Sequence, residues 1–272
     1  MMKGGRMLTV CAIFAVIGCM TVLVAAESVS PETPLKKPDL SKGAVLFTFD
    51  DCSVAEWVAV APLFREYGAH ATFFVAWPDR LKPEQIAGLK TLQNDGHAIG
   101  CHSLRHMKAV DMITAKGVDT YIGQDINPAK DLLRKAGFAP ACFAYPSSQN
   151  NAESDAALLR IFRHLRTGTG LPEGKRLKDL DSIFVPAAEV EKRGCLTGTG
   201  IDAAGKGNRA DYAQQVCEAL DRAKARGEVV VFYAHCIAES AGGHHIQPAP
   251  LRAMLEHAKA IGLPAISYDE LP

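Results

Sequence analysis

An apolar run that ends on two carboxylates limits what this chain can become. Ala44-Val45-Leu46-Phe47-Thr48-Phe49 leads directly into Asp50 and Asp51. So continuous a run reads as a strand buried on both faces, the kind a parallel sheet contains. Two acids at its C-terminal end are costly to desolvate unless a metal, a cation or a reaction uses them. The competing reading makes one Asp the cap of the next helix and leaves the other in water, since Asp is a favoured N-cap. The pair by itself leaves both open.

Downstream, strands and helices alternate. Val54 to Tyr67 carries apolar residues at helical spacing and stops at Gly68, and Ala71 to Ala76 is a second buried strand. A helix from Pro83, a short strand over His97 to Gly100, a helix over Val118 to Ala136 and a strand over Ala141 to Tyr145 continue the pattern. The second half adds strands at His164 to Thr167, Ser182 to Val185, Glu228 to Ala234 and Ala265 to Tyr268. Helices over Ala152 to Phe162, Arg209 to Arg226 and Pro250 to Ala260 separate them. This is an α/β pattern, a (β/α) barrel or an open doubly wound sheet. Some connections are short for ideal units, so a distorted (β/α) barrel with seven or eight strands fits best. In a barrel the site sits at the C-terminal strand ends.

Composition narrows the class. Of 272 residues 48% are hydrophobic and 22% charged, enough to bury a full core without staples. Thirty basic and thirty acidic residues cancel, so neither nucleic acid nor an anionic membrane surface is favoured as partner. Lys3 and Arg6 precede an uncharged, mostly apolar run from Met7 to Ala26, the layout of an export signal cleaved after Ala26. Val16-Ile17-Gly18-Cys19 resembles a lipobox that would put a lipid on Cys19, and the uncleaved run is about long enough for a marginal membrane anchor. Each version puts the main domain, residues 43–272, outside the cytoplasm: periplasmic, extracellular or tethered. Residues 27–42, with Pro31, Pro34 and Pro38, read as an extended linker. Six cysteines would remain in the mature chain: Cys52, Cys101, Cys142, Cys195, Cys217 and Cys236. An oxidising compartment permits three bridges among them, with the pairing not deducible.

Polar residues gather at the strand ends. Asp50 and Asp51 close the first strand, His102 and His106 follow the third, and His235 follows Phe232-Tyr233-Ala234. The spacing His102-x-x-x-His106 puts both rings on one face if the segment turns helically. Two imidazoles and one carboxylate suit a divalent ion such as zinc and leave a position for water. One Asp can hold the ion while the other takes a proton from that water, and residues alone do not say which. His235, with an intrinsic pKa near neutrality, suits protonation of a leaving group.

The Thr48-Phe49-Asp50-Asp51 run, His102-Ser103-Leu104-Arg105-His106 and the late Tyr233-Ala234-His235 resemble the polysaccharide deacetylase family, the NodB-homology domain of carbohydrate esterase family 4. Phe73-Phe74-Val75 and Gly96-His97-Ala98-Ile99-Gly100 are similar to it too, so the resemblance covers roughly residues 42 to 272. It implies a distorted (β/α) barrel and a divalent metal, usually zinc, with cobalt an alternative. The implied reaction removes acetyl groups, N-acetyl ahead of O-acetyl, from an acetylated polysaccharide or oligosaccharide. Carried over by motif, Asp50 is the general base, Asp51, His102 and His106 are the metal ligands, and His235 is the general acid. A non-catalytic carbohydrate-binding homologue and a hydrolase of a non-sugar amide are the alternatives.

Two departures stand out. The family places an Arg two residues before a Pro to orient the catalytic Asp, and here Ala144 occupies that position before Pro146. Arg166 and Arg105 are the candidates to replace it in space. No partner for His235 is apparent beyond Asp179 and Asp181. Ser147 is a candidate oxyanion donor through its backbone N–H, Tyr145 a candidate groove residue, and Trp77 a candidate sugar-stacking ring.

Overall fold

The computed structural model describes residues 1–2, 38–202, 211–241 and 243–272; the expected signal and nearly all of the expected linker lie outside the described residues. In chain order, 3-10 turns aside, the elements are β1 (Ala44–Asp51), α1 (Val54–Tyr67), β2 (Thr72–Val75), α2 (Pro83–Asn94), β3 (Ala98–Cys101), α3 (Ala109–Lys116), α4 (Val118–Tyr121), a π-helical turn (Ile122–Ile126), α5 (Asn127–Lys135), β4 (Cys142–Ala144), α6 (Ala152–Leu158), β5 (His164–Thr169), β6 (Phe184–Pro186), α7 (Val190–Arg193), β7 (Cys195–Gly200), α8 (Tyr212–Arg226), β8 (Glu228–Ala234), β9 (Cys236–Ile237), β10 (His245–Ile246) and α9 (Pro248–Ala260). Strands β1-β2-β3-β4-β5-β7-β8 are parallel neighbours, and β8 pairs back onto β1 to close a barrel of seven. An eighth strand, β6, runs antiparallel beside β8. The expectation of seven or eight strands in a (β/α) barrel is met.

Why β1 is apolar on both faces is now visible. Ala44 and Leu46 point into the barrel, where they pack with Phe74, Ala144, Leu196 and Val231. Val45, Phe47 and Phe49 point outward against the helices, among Trp57 and Phe64 of α1. The period of two therefore aims Asp50 inward. Phe74 fills the barrel one strand over, paired with Asp50 on one side and Gly100 on the other. A Cβ on Gly100 would lie 2.4 Å from the Phe74 ring, so glycine is needed there for close approach rather than for its torsions.

Several expected elements differ. Cys195–Gly200 is a strand that the pattern does not announce, because Cys-Leu-Thr-Gly-Thr-Gly has no apolar run. Ala265 to Tyr268 is not a strand: one bridge joins Ala265 to Val45, and Tyr268–Glu270 is a 3-10 turn. The expected helix over Val118 to Ala136 is α4 and α5 joined through the π turn. All six expected mature cysteines are free thiols. Cys101 and Cys142 are buried, and burial pushes the Cys101 thiol up to about 12, so these two act as small apolar groups.

Candidate active site

Left-handed backbone at the C-terminal strand ends shapes the site. Among the described residues, six that are not glycine have positive φ: Asp51, Trp77, Ser103, His106, Ser147 and Ser148. All follow or end β1, β2, β3 or β4 at the same mouth of the barrel, and such conformations are held only where surrounding structure enforces them. Asp51, with φ 80°, is the clearest case. Strand alternation would aim it at the helix layer. The left-handed turn leaves its carboxylate beside His102 and His106 instead.

Three ligand atoms converge there. Asp51 Oδ1 is 3.8 Å from His102 Nε2 and 3.5 Å from His106 Nε2. This oxygen is buried and has no hydrogen-bond partner among the described residues. An unpartnered buried carboxylate oxygen facing two imidazole nitrogens is costly without a cation, so the donor set fits a divalent ion. His102 is 2% exposed, and its Nδ1 donates to the Ala144 carbonyl at 2.8 Å, which leaves the Nε2 lone pair free to bind. Burial pushes the His102 ring down to about 4, against the pull of Asp50, so it is neutral, as a ligand must be.

The expected helical turn under His102 and His106 is absent. The segment is a loop bent left-handed at Ser103 and His106, and a residue that sequence reasoning missed secures it. Asp125, in the π turn and 1% exposed, accepts from Leu104 N at 3.0 Å and from Arg105 N at 2.6 Å. Burial raises its pKa, against those bonds. π turns are rare and recur at functional sites, so an interrupted helix at residues 122–126 would have been the signal. Asp125→Ala should weaken metal affinity about 10- to 100-fold, measured by competition with a chelator. Asp125→Asn keeps the accepting oxygen and should lose far less.

Asp50 is 3% exposed, and the guanidinium that the sequence lacked comes from Arg166, which donates to Asp50 Oδ2. Arg166 is 1% exposed and stacks 4.6 Å from the Tyr233 ring centroid. On β5 it is the register partner of Ala144, the position where the resemblance expects Arg. Arg105, the other candidate, pairs with Asp79 instead. Burial pushes the Asp50 carboxyl up, but Arg166, His102 and His235 outweigh it and hold it below the ordinary carboxylate value.

His235 finds its partner in Asp202, two residues past β7. The Asp202 carboxylate accepts from His235 Nδ1 at 2.6 Å and from the His235 backbone N–H at 3.1 Å. Asp179 and Asp181 do not serve: both sit in 3-10 turns between β5 and β6, and Asp181 pairs with Arg222 of α8. Trp57 of α1 donates to the His235 carbonyl at 2.8 Å and is otherwise core. Burial pulls the His235 ring down, but Asp202, Asp50 and Asp51 together raise it above the ordinary imidazole value.

Asp50, Asp51, His102, His106, Asp202 and His235 line one cavity of about 820 Å³. Ser147 lines it from the strand-end turn after β4. Tyr145 also lines it, with little of the side chain exposed and its hydroxyl donating to Asp155 at 2.8 Å. Trp77 stacks on His106 with ring centroids 5.4 Å apart and is not among the residues that line the cavity.

A model of the polysaccharide deacetylase family matches residues 37–161. No curated protein matches. Among solved structures, a Mycobacterium smegmatis protein assigned as a polysaccharide deacetylase is similar at 16% identity and TM-score 0.61, over 89% of this chain and 93% of that one. The peptidoglycan deacetylase PdaC of Bacillus subtilis is similar at 16% identity and TM-score 0.51, over 86% and 92%. The catalytic domain of a peptidoglycan N-acetylglucosamine deacetylase from Eubacterium rectale gives 15% and 0.52, over 85% and 91%. These likenesses carry the fold. Arg166, Asp202 and His235 lie beyond the matched segment, and their grouping rests on geometry.

Proposed function

We propose, from the premise that this chain belongs to the polysaccharide deacetylase family through residues 37–161, that it is a metal-dependent hydrolase removing acetyl groups from a carbohydrate polymer. The observation that carries the reading is the unpartnered Asp51 Oδ1 facing His102 Nε2 and His106 Nε2, with Asp50 and His235 lining the same cavity. A zinc or cobalt ion held by Asp51, His102 and His106 would polarise the acetyl carbonyl and lower the pKa of a water. Asp50, ionised and oriented by Arg166, takes the proton of the attacking water. His235, oriented by Asp202, gives a proton to the departing amine or alcohol. An amine needs that proton more than an alcohol does, which favours N-acetyl over O-acetyl substrates. Arg166, donating to Asp50 from β5 beside the position where the motif Arg is absent, supports a catalytic reading over a non-catalytic carbohydrate-binding homologue. Export, through the charged and then apolar residues 1–26, and a linker over residues 27–42 belong to the same proposal.

Acetate release from acetylated chitin oligomers, peptidoglycan and xylan, before and after chelation and after return of zinc or cobalt, tests it. Turnover that survives complete chelation, or no acetate from any acetylated glycan, would sink it. The pH profile adds a check. His235 faces Asp202, Asp50, Asp51 and the His244 ring. Its acidic form is lost as pH rises through its raised pKa, so turnover should fall on the alkaline side. Asp202→Asn removes a carboxylate that raises that pKa, so the alkaline limb should move to lower pH, read from kcat against pH.

A further inference from the structure

A second set of ligand atoms lies in the cavity, apart from Asp51, His102 and His106. Asp202, His235 and His244 each offer one atom, all within 4.8 Å of one another. The rings of His235 and His244 stand 5.1 Å apart and tilted by 33°. Backbone contacts hold the cluster together. His235 N donates to Asp202 Oδ1, Cys236 N donates to the His244 carbonyl at 3.3 Å, and β9 and β10 pair Cys236 with His245 and Ile237 with Ile246. The side chains of Asp202 and His235 are 9% and 22% exposed, whereas His244 is exposed. An ion arriving from solvent would meet one exposed imidazole and two largely buried ligands.

We propose that Asp202, His235 and His244 form a second divalent-cation site, filled by zinc-like ions at higher concentration than the first, and that filling it stops turnover. Two imidazoles and a carboxylate are the donor set that borderline ions such as zinc prefer. Bonds of about 2.0–2.1 Å put tetrahedral ligand atoms roughly 3.3 Å apart, so the exposed His244 ring has only a short distance to close. That movement, and the solvent around His244, make the site weaker than the one built on buried His102. The consequence for catalysis follows from His235. With an ion on either ring nitrogen the ring is no longer an imidazolium, and it has no proton ready for the leaving group. The loss of turnover rests on the acid role proposed above for His235; the second ion does not.

Calorimetric titration of the metal-free protein with zinc, and cobalt absorption spectra, count the sites without any substrate. Two ions per chain are expected for the wild type, and one each for His244→Ala and Asp202→Asn. His106→Ala should lose the tighter ion and keep the weaker. Excess zinc should inhibit the wild type, and His244→Ala should need at least about tenfold more zinc for the same inhibition. His244 is exposed, so its removal does not endanger folding, which circular dichroism checks. A single ion in the wild type, or two retained in His244→Ala, overturns the site. Two ions without inhibition overturn the block on turnover and the acid role of His235 with it, while the site stands.

Discussion

Asp50→Asn should bind its metal ion and release almost no acetate. Asn matches Asp in size and can still accept from Arg166, but an amide cannot take a proton from water at neutral pH. A positioned general base is worth about 10²- to 10⁴-fold, and a loss of turnover in that range is expected. Asp51, His102 and His106 are untouched, so the ion count should equal that of the wild type. The neutral amide leaves Arg166, 1% exposed, without full charge balance. The melting temperature should therefore drop, and turnover has to be compared well below it. A protein that only binds sugar on this fold would show the same ion count, the same affinity and no turnover to lose. Asp50→Asn turnover within about tenfold of the wild type would remove Asp50 as the base.

Much of this site could be read from the chain because its parts are local. A buried strand announces itself by composition, its C-terminal end locates the carboxylates, and four-residue spacing brings His102 and His106 together wherever the chain turns between them. The backbone itself was not legible. Four-residue spacing suggests a helical turn, yet the same proximity is reached through left-handed Ser103 and His106 with Asp125 tying down Leu104 and Arg105. Side chains that complete the site from other strands were harder still. Arg166 reaches Asp50 because β5 lies beside β4 in a register that no short motif encodes. Asp202 went unseen for a plainer reason. The strand before it reads Thr-Gly-Thr-Gly, and without an apolar run nothing in the sequence marks its C-terminal end. The glycines there lie close against β8: a Cβ on Gly200 would sit 3.3 Å from the Tyr233 ring, and one on Gly198 3.1 Å from Val231 Cγ1.

Removing the Arg166 side chain should cost both stability and rate, and moving it should restore part of both. Arg166→Met leaves Asp50 buried without a counter-charge, a change that destabilises by about 3–5 kcal/mol in comparable pairs. For a domain of this size that lowers Tm by roughly 10 °C. Asp50→Leu combined with Arg166→Met removes both charges and should recover most of the loss, since apolar replacements of buried pairs are often neutral or better. Additive losses in the double variant would mean that the two groups do not act as a pair. The rate effect separates positioning from mere support. As the proposed base, Asp50 has to be held in line with a water, and a misplacement of about 1 Å can cost 10²-fold. Ala144 faces the same barrel interior from the neighbouring strand, in register with Arg166. The relocation variant Ala144→Arg with Arg166→Ala therefore returns a guanidinium to Asp50 from one strand over. It should regain a clear part of the turnover that Arg166→Ala alone loses, measured as kcat at equal metal content. If relocation restores Tm but not kcat, Arg166 balances a buried charge and does not orient the base.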